Sequence, residues 1–250
     1  MRVSVVLSIA RREWDEFFTT AIGWLVMLGF STISGLTFVL ILSDATDPAY
    51  LSTPVDVNTA IIPAFFGTIQ VLLLLLAPAI SMRSYSADFS QQSFVMLLAA
   101  PVSSAEIVMG KFLGAMGYLL SLYASLLHCL VVLFWLSDPS LTILALNLLA
   151  SVASAACFLA IGQLMSSWTS SQLLALGTSF AILIGLWFFE AVGIQIGGAA
   201  GDVLRHLSPL GHIETLSQGL IQLKDCVYFA STIALALYAT QQRIERLRWL

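Results

Sequence analysis

Long runs of apolar residues, separated by polar segments, are the main pattern in this chain of 250 residues. Six such runs occupy positions 22–42, 60–82, 112–136, 141–165, 173–192 and 226–240. A helix needs about 20 apolar residues to cross the hydrocarbon core of a bilayer, and the first five runs meet that length. The last run is shorter, so we expect its helix to extend into the polar residues that flank it. Because the runs are continuous rather than alternating, a β-barrel is excluded. The pattern predicts an all-α integral membrane protein with six transmembrane helices.

The composition supports this class of protein. Hydrophobic residues make up 59% of the chain and charged residues 10%, whereas soluble domains average about 45–50% and about 25%. The mean hydropathy is +0.95. A net charge of −4 provides no basic field for nucleic acid. We therefore expect membrane lipid, and no nucleic acid, among the partners.

The basic residues are distributed unevenly over the segments that join the six runs. With the N-terminus inside, eight of them lie on the cytoplasmic side and two outside. Such an excess of Lys and Arg in cytoplasmic loops orients helical membrane proteins. We therefore predict a multi-pass protein of a cytoplasmic membrane with both termini in the cytoplasm. The eight are Arg2, Arg11, Arg12, Arg83, Lys111, Arg243, Arg246 and Arg248, and the two are Arg205 and Lys224.

Residues 1–21, which precede the first run, are predicted to form an amphipathic helix. Its apolar residues recur at helical spacing and are Val3, Val6, Leu7, Ala10, Trp14, Phe17 and Phe18. A helix of this kind, with Trp14 at headgroup depth and arginines toward the phosphates, suits the cytoplasmic interface of the membrane. The alternative is that the first span begins early, which would bury charges such as Arg12 and Glu13 at high cost.

Two polar segments are long enough to do more than join spans. The cytoplasmic loop at 83–111 contains an apolar stretch at 94–100, which Pro101 ends, and Ser104 marks a helix start. An amphipathic helix in such a loop would suit docking on a cytoplasmic partner. The external segment at 193–225 begins with glycines and continues with Leu and Ile spaced by three or four, which predicts one or two short helices. Whether these helices cover a translocation path or only cap the bundle stays open.

The motifs of membrane-embedded enzymes are absent from the sequence. It has neither an H-E-x-x-H pattern nor a G-x-S-x-G pattern. His206 and His212, near Glu214, are a weak candidate for a metal site because their spacing puts the two rings on different helix faces. Residues 105–112 lack the first glycine and the Ser or Thr of a phosphate-binding loop. We expect no catalytic residue, metal or cofactor in this chain, so that ATP and Mg²⁺ would be held by another subunit.

Polar residues inside the apolar runs are the candidates for a transport path. Gln70 lies near the middle of the second run, His128 in the outer half of the third, and Glu190 near the end of the fifth. Polar residues at membrane depth are functional candidates, and an interhelical hydrogen bond is the alternative for Gln70 and His128. So few buried charges disfavour a carrier driven by protons or sodium.

Two segments carry residue patterns of a known family. The cytoplasmic loop contains Arg83-Ser84, Pro101-Val102-Ser103, Glu106-Ile107-Val108 and Gly110-Lys111-Phe112-Leu113. The external segment contains Leu207-Ser208-Pro209-Leu210, Glu214, Gly219 and Asp225-Cys226-Val227-Tyr228-Phe229. These patterns resemble those of ABC-2 type transporter permeases, and in particular their gliding-motility-associated, GldF-like branch.

The resemblance implies a mechanism that needs several subunits. Two permease chains, identical or related, would form the path, and two ATP-binding subunits would each grip a coupling helix, which we place at 87–100. The implied protein is the permease subunit of an ATP-driven exporter in a bacterial inner membrane, with an auxiliary envelope protein as a further partner. The residues implied in coupling to the ATPase are Arg83, Asp88, Phe94, Met96, Leu97, Pro101, Glu106 and Lys111.

Two other classes of function stay open at this point. A membrane anchor or assembly protein would hold a cytoplasmic complex without forming a path. An integral-membrane enzyme would need a set of catalytic residues, and the sequence lacks the motifs of such a set. Co-purification of an ATPase with vanadate-sensitive activity would favour the transporter over the anchor, whereas an absolute requirement for His128 or Glu190 together with a chemical product would favour the enzyme.

Overall fold

A computed structural model describes residues 2–46, 56–90, 102–220 and 222–248. Every regular element in these ranges is helical, which confirms the all-α prediction for this part of the chain. The elements are α1 (Val3–Thr19), α2 (Ala21–Thr46), a π-helical turn (Val57–Ile61), α3 (Ile62–Ser81), α4 (Arg83–Ser90), α5 (Ser104–Ser125), α6 (Leu127–Leu136), α7 (Leu141–Ser166), α8 (Gln172–Ile196), α9 (Gly198–Leu207), α10 (Pro209–Ser217) and α11 (Leu223–Arg248).

Five helical stretches in the described ranges are long and apolar enough to cross a membrane. They are Ala21–Ala45, Val57–Ser90, Ser104–Leu136, Leu141–Ser166 and Gln172–Ile196, with mean hydropathy between 1.8 and 2.3 in their most apolar windows. Helix α11 has 26 residues and so spans about 39 Å, but its polar ends keep it out of this group. The structure therefore supports a multi-pass membrane protein, and the sixth span stays a prediction.

Helix α7 forms the centre of the bundle, and α3, α8, α10 and α11 pack around it. Small residues on α7 allow this close approach, as is common between membrane helices. A side chain at Gly162 of α7 would lie 2.0 Å from the Ser81 hydroxyl of α3. In contrast, α2 and α8 bury little of their surface and present exposed leucines and isoleucines such as Leu25 and Ile182.

Both ends of the described chain meet at the start of α5. The Arg2 backbone N–H donates a hydrogen bond to Glu106 Oε1 at 2.5 Å. The Arg248 guanidinium donates to the Val102 carbonyl, and the Ser104 hydroxyl bonds to Glu245. We call this end of the bundle, around residues 102–106, the terminal end, and the opposite end, where α9 and α10 lie, the distal end. Helix α11 therefore runs the length of the bundle.

Helix α1 packs lengthwise against the first turns of α5. The two helices touch backbone to backbone because α5 carries glycines on the contact face: a side chain at Gly114 would lie 2.7 Å from the Ala10 carbonyl oxygen. The apolar residues predicted for α1 divide between two faces, since Val6 is buried while Val3 and Trp14 are exposed. The exposed face remains available for membrane lipid, and the interfacial location of α1 stays a prediction.

Candidate functional site

The start of α5 is held by bonds inside the chain. The Ser103 hydroxyl accepts a hydrogen bond from the Glu106 N–H at 3.3 Å, and Glu106 Oε2 accepts one from the Ser103 N–H at 2.9 Å. This reciprocal pair is a capping box, which satisfies two donors that a helix start would otherwise leave unpaired. Glu106, a predicted coupling residue, therefore uses both carboxylate oxygens within the chain and positions the helix. The Ser-x-x-Glu spacing is the sequence signal for this role.

Lys111 lies on α5 and forms the centre of a buried ionic cluster. Only 2% of its side chain is exposed, and its Nζ lies 2.6 Å from Glu13 Oε1 of α1 and 2.9 Å from Asp88 Oδ2 of α4. The ammonium also faces the ring of the buried Tyr85, 5.5 Å from the ring centroid. A buried ammonium is tolerated only where opposite charges and aromatic faces replace water. The three helices are therefore joined through one cation.

A second and more exposed ion pair links α1 to α4. Arg83 Nη2 lies 3.2 Å from Glu16 Oε1, and both side chains reach solvent. Together with the residues around Lys111, this pair lines a cleft of about 120 Å³ to which Gln172 at the start of α8 also contributes. We call Glu13, Glu16, Arg83, Asp88 and Lys111 the ionic cluster. It lies on the terminal side of the bundle, where α3 breaks and α4 begins.

The break between α3 and α4 is bonded to the central helix. The Ser166 hydroxyl of α7 accepts hydrogen bonds from the N–H groups of Tyr85 and Ser86, each at 3.1 Å, and donates to the Met82 carbonyl at 2.9 Å. Ser166 thus serves backbone groups that the helix break frees. Helix α4 is consequently attached to α7 as well as to α1 and α5.

The structure brings together Arg83, Asp88 and Lys111 of the predicted coupling residues, and places Glu106 before Lys111 on α5. The other predicted coupling residues, Phe94, Met96, Leu97 and Pro101, and most of the helix predicted at 87–100, lie outside the described residues. Sequence reasoning missed the acidic partners on α1. No local pattern reports them, because Glu13 lies 98 positions from Lys111 and Glu16 lies 67 positions from Arg83 in the chain.

The three pathway candidates lie apart from one another. Gln70 is buried and its Oε1 accepts a hydrogen bond from the Ser154 hydroxyl of α7 at 2.7 Å, which is the interhelical bond considered as its alternative. His128 is exposed, and its Nδ1 bonds to the Ser125 carbonyl of its own helix turn at 2.6 Å. Glu190 is buried and pairs with Arg205 of α9 at 3.1 Å. Gln70 lines a cavity of about 260 Å³ between α3, α7, α8 and α10, whereas Glu190 lines a separate one of about 280 Å³ at the distal end.

The distal end contains a buried His–Asp pair. His212 Nδ1 lies 2.6 Å from Asp225 Oδ1, its Nε2 lies 3.1 Å from the His206 carbonyl oxygen, and its ring stacks on Tyr228 at 4.2 Å. The pair joins α10 to the start of α11. Among the described residues, no group of three or more His, Cys, Asp or Glu side chains is arranged to hold a metal ion.

The sequence matches the family model described as "ABC-2 family transporter protein" over residues 7–240. No curated protein matches the chain. The match includes all of the predicted membrane spans. It also includes the whole ionic cluster, which consists of Glu13, Glu16, Arg83, Asp88 and Lys111. Members of this family are membrane components that work with a separate ATP-binding subunit. The chain belongs to the ABC-2 family of transporter proteins and is a multi-pass permease component of an ABC transporter.

Proposed function

We propose that this permease component couples ATP hydrolysis by a partner subunit to the export of a cargo across a bacterial cytoplasmic membrane. The observation that carries the proposal is Lys111, buried between Glu13 of α1 and Asp88 of α4. It joins the segment that leaves the second span to the helix that enters the third. The GldF-like branch and the direction of transport belong to this proposal and rest on the sequence resemblance.

The coupling step would begin at the loop that follows α4. A force applied there by the ATP-binding subunit reaches α5 and α1 through the Lys111 ion pairs, because short ion pairs that are largely shielded from water resist separation. The same force reaches the central helix through Ser166, which bonds the start of α4. The ionic cluster would therefore move α1, α4 and α5 as one unit relative to the distal half of the bundle.

Two features support the membrane orientation that this mechanism needs. Both ends of the described chain meet at the terminal end of the bundle, together with Arg83 and Lys111, and α11 runs from the distal end to that point. An α11 that crosses the membrane gives six spans and puts both termini on one side, where the excess of basic residues indicates the cytoplasm. The second permease chain would pack on the exposed apolar faces of the bundle, which include α2 and α8.

Labelling with a membrane-impermeant maleimide tests the orientation. Single cysteines would replace Asp202 on α9 and Arg246 on α11 in a background in which the three native cysteines are changed to alanine. We expect labelling of the cysteine at 202 in intact spheroplasts, and of the cysteine at 246 only after permeabilisation. Labelling of both positions in intact spheroplasts would contradict six spans with cytoplasmic termini.

Vanadate-sensitive ATP hydrolysis tests the coupling. The tagged chain would be purified from its native host in lipid nanodiscs with the ATP-binding protein that accompanies it. We expect Asp88→Arg, which places a second cation beside Lys111, to abolish the stimulation of ATP hydrolysis by the permease while both proteins still co-purify. Asp202→Arg, which makes the same exchange at an exposed position of α9, is the matched control. An anchor without a path predicts no vanadate-sensitive activity in any variant, and equal activity of the two variants would remove the coupling role of Asp88.

A further inference from the structure

We propose that the cavity between α3, α7, α8 and α10 binds an amphipathic amine, in which an apolar body carries one protonated amino group. The cavity measures about 260 Å³. The inference deepens the proposed function, since it rests on the chain having a cargo and names the chemical class of that cargo.

The walls of the cavity are mostly apolar and aromatic. They include Phe66 of α3, Ala150 of α7, Trp187 of α8, and Leu210 and Ile213 of α10. Pockets with such walls bind apolar groups, and a few placed polar groups then decide which ligand is accepted. The size of the cavity suits a short alkyl chain or a single ring.

Asn147 supplies a buried hydrogen-bond acceptor in this wall. Its side chain is 1% exposed, and its Nδ2 donates to the Ile143 carbonyl at 2.9 Å and to the Ser217 carbonyl at 3.0 Å. These two bonds orient the amide and use both of its hydrogens. The Oδ1 atom has no donor among the described residues. Since buried polar atoms are almost always paired, a ligand that donates a hydrogen bond would satisfy this oxygen.

The charge around the cavity favours a cation. Glu214 of α10 contributes a carboxylate, and among the described residues it makes no ion pair. Trp187 contributes an indole ring, the aromatic side chain that attracts cations most strongly. None of the residues that line the cavity is basic. An ammonium group is thus favoured by the carboxylate, the indole face and the free acceptor, whereas a carboxylate on the ligand would be repelled.

Equilibrium binding of three probes of equal chain length tests this assignment. Tritiated n-octylamine, 1-octanol and octanoate would be titrated against the purified chain in nanodiscs without any ATPase, and binding to empty nanodiscs would be subtracted. We expect saturable binding of octylamine, about tenfold tighter than binding of octanol because the charged donor strengthens each hydrogen bond, and no binding of octanoate.

Substitutions locate the binding in this cavity. Glu214→Gln should lower octylamine affinity to that of octanol, while Asp202→Asn, an exposed carboxylate on the neighbouring helix α9, should leave it unchanged. Gly67→Leu should abolish binding of both probes, because Gly67 lines the cavity and a leucine side chain there would occupy the space that the probe needs. The backbone should tolerate the change, since a Cβ atom at Gly67 would meet no atom within 4 Å. Gly29→Leu on α2, where a side chain also meets no atom within 4 Å, is the matched control.

Two results would overturn the proposal: equal affinities for octylamine and octanol, or unchanged octylamine binding in the Gly67→Leu variant. Because no ATP is present, either result leaves the coupling proposal intact. Equal ATP hydrolysis by the Asp88→Arg and Asp202→Arg variants would, in turn, contradict the coupling proposal and leave amine binding unaffected.

Discussion

Lys111→Met is the substitution that tests the ionic cluster most directly. Methionine keeps most of the length and apolar surface of the side chain but removes the cation. Glu13 and Asp88 then lie close together with no positive charge from residue 111 between them. Breaking a buried ion pair costs about 3–5 kcal/mol. The two carboxylates are 12% and 21% exposed, so water screens part of their repulsion, and we expect a loss near the lower limit, about 3 kcal/mol. This corresponds to roughly a hundredfold change in the unfolding equilibrium.

The assay is reversible unfolding of the purified chain in mixed micelles with a denaturing detergent, followed by far-ultraviolet circular dichroism. Lys224→Met is the control, because Lys224 lies exposed at the start of α11. Its effect should remain within about 0.5 kcal/mol, as for most surface substitutions. Equal loss in the two lysine variants would refute the idea that Lys111 holds three helices together.

A triple variant separates charge imbalance from lost packing. Adding Glu13→Gln and Asp88→Asn to Lys111→Met removes the two carboxylates that the lysine neutralised. Replacing a whole buried ionic group by neutral residues is often tolerated, so we expect the triple variant to recover most of the lost stability. A triple variant less stable than Lys111→Met alone would mean that the destabilisation comes from packing.

Two further predictions concern helix contacts. Gly114→Leu should destabilise the chain by about 1–3 kcal/mol through overpacking, because the new side chain would collide with the Ala10 backbone of α1. Gly177→Leu is the control and should be neutral, because a side chain there meets open space. Limited proteolysis of α1 together with unfolding in detergent measures both effects. His212→Phe should lower the free energy of unfolding by about 3 kcal/mol, because it leaves the Asp225 carboxylate buried without its partner. Adding Asp225→Leu should restore much of this stability. A double variant as unstable as His212→Phe would contradict this role for the pair.

The helical class and five apolar helices long enough to cross a membrane followed from the sequence, because a bilayer imposes the same length and apolarity on each span wherever it packs. The third span was placed from residue 112 and the start of its helix at Ser104, which is where α5 begins. Only the capping box and the ionic cluster show how this helix accommodates charges such as Glu106 and Lys111.

The candidate site was predictable in part. Arg83, Asp88 and Lys111 were selected through a resemblance in one loop, and the structure brings them together. Glu13 and Glu16 were not selected, since they lie about 70 to 100 positions from their partners in the chain, and no local pattern reports such a pairing.

The sequence by itself determined the membrane environment, the helical content and the asymmetry of basic charge, all of which depend on composition along short segments. Tertiary structure alone decided that α1 lies along α5, that both ends of the described chain meet beside Glu106, and that the Asn147 oxygen, in a cavity with Glu214, has no donor among the described residues. These features depend on distances between segments remote in sequence, and such distances follow from how whole helices pack, which hydrophobic periodicity does not encode.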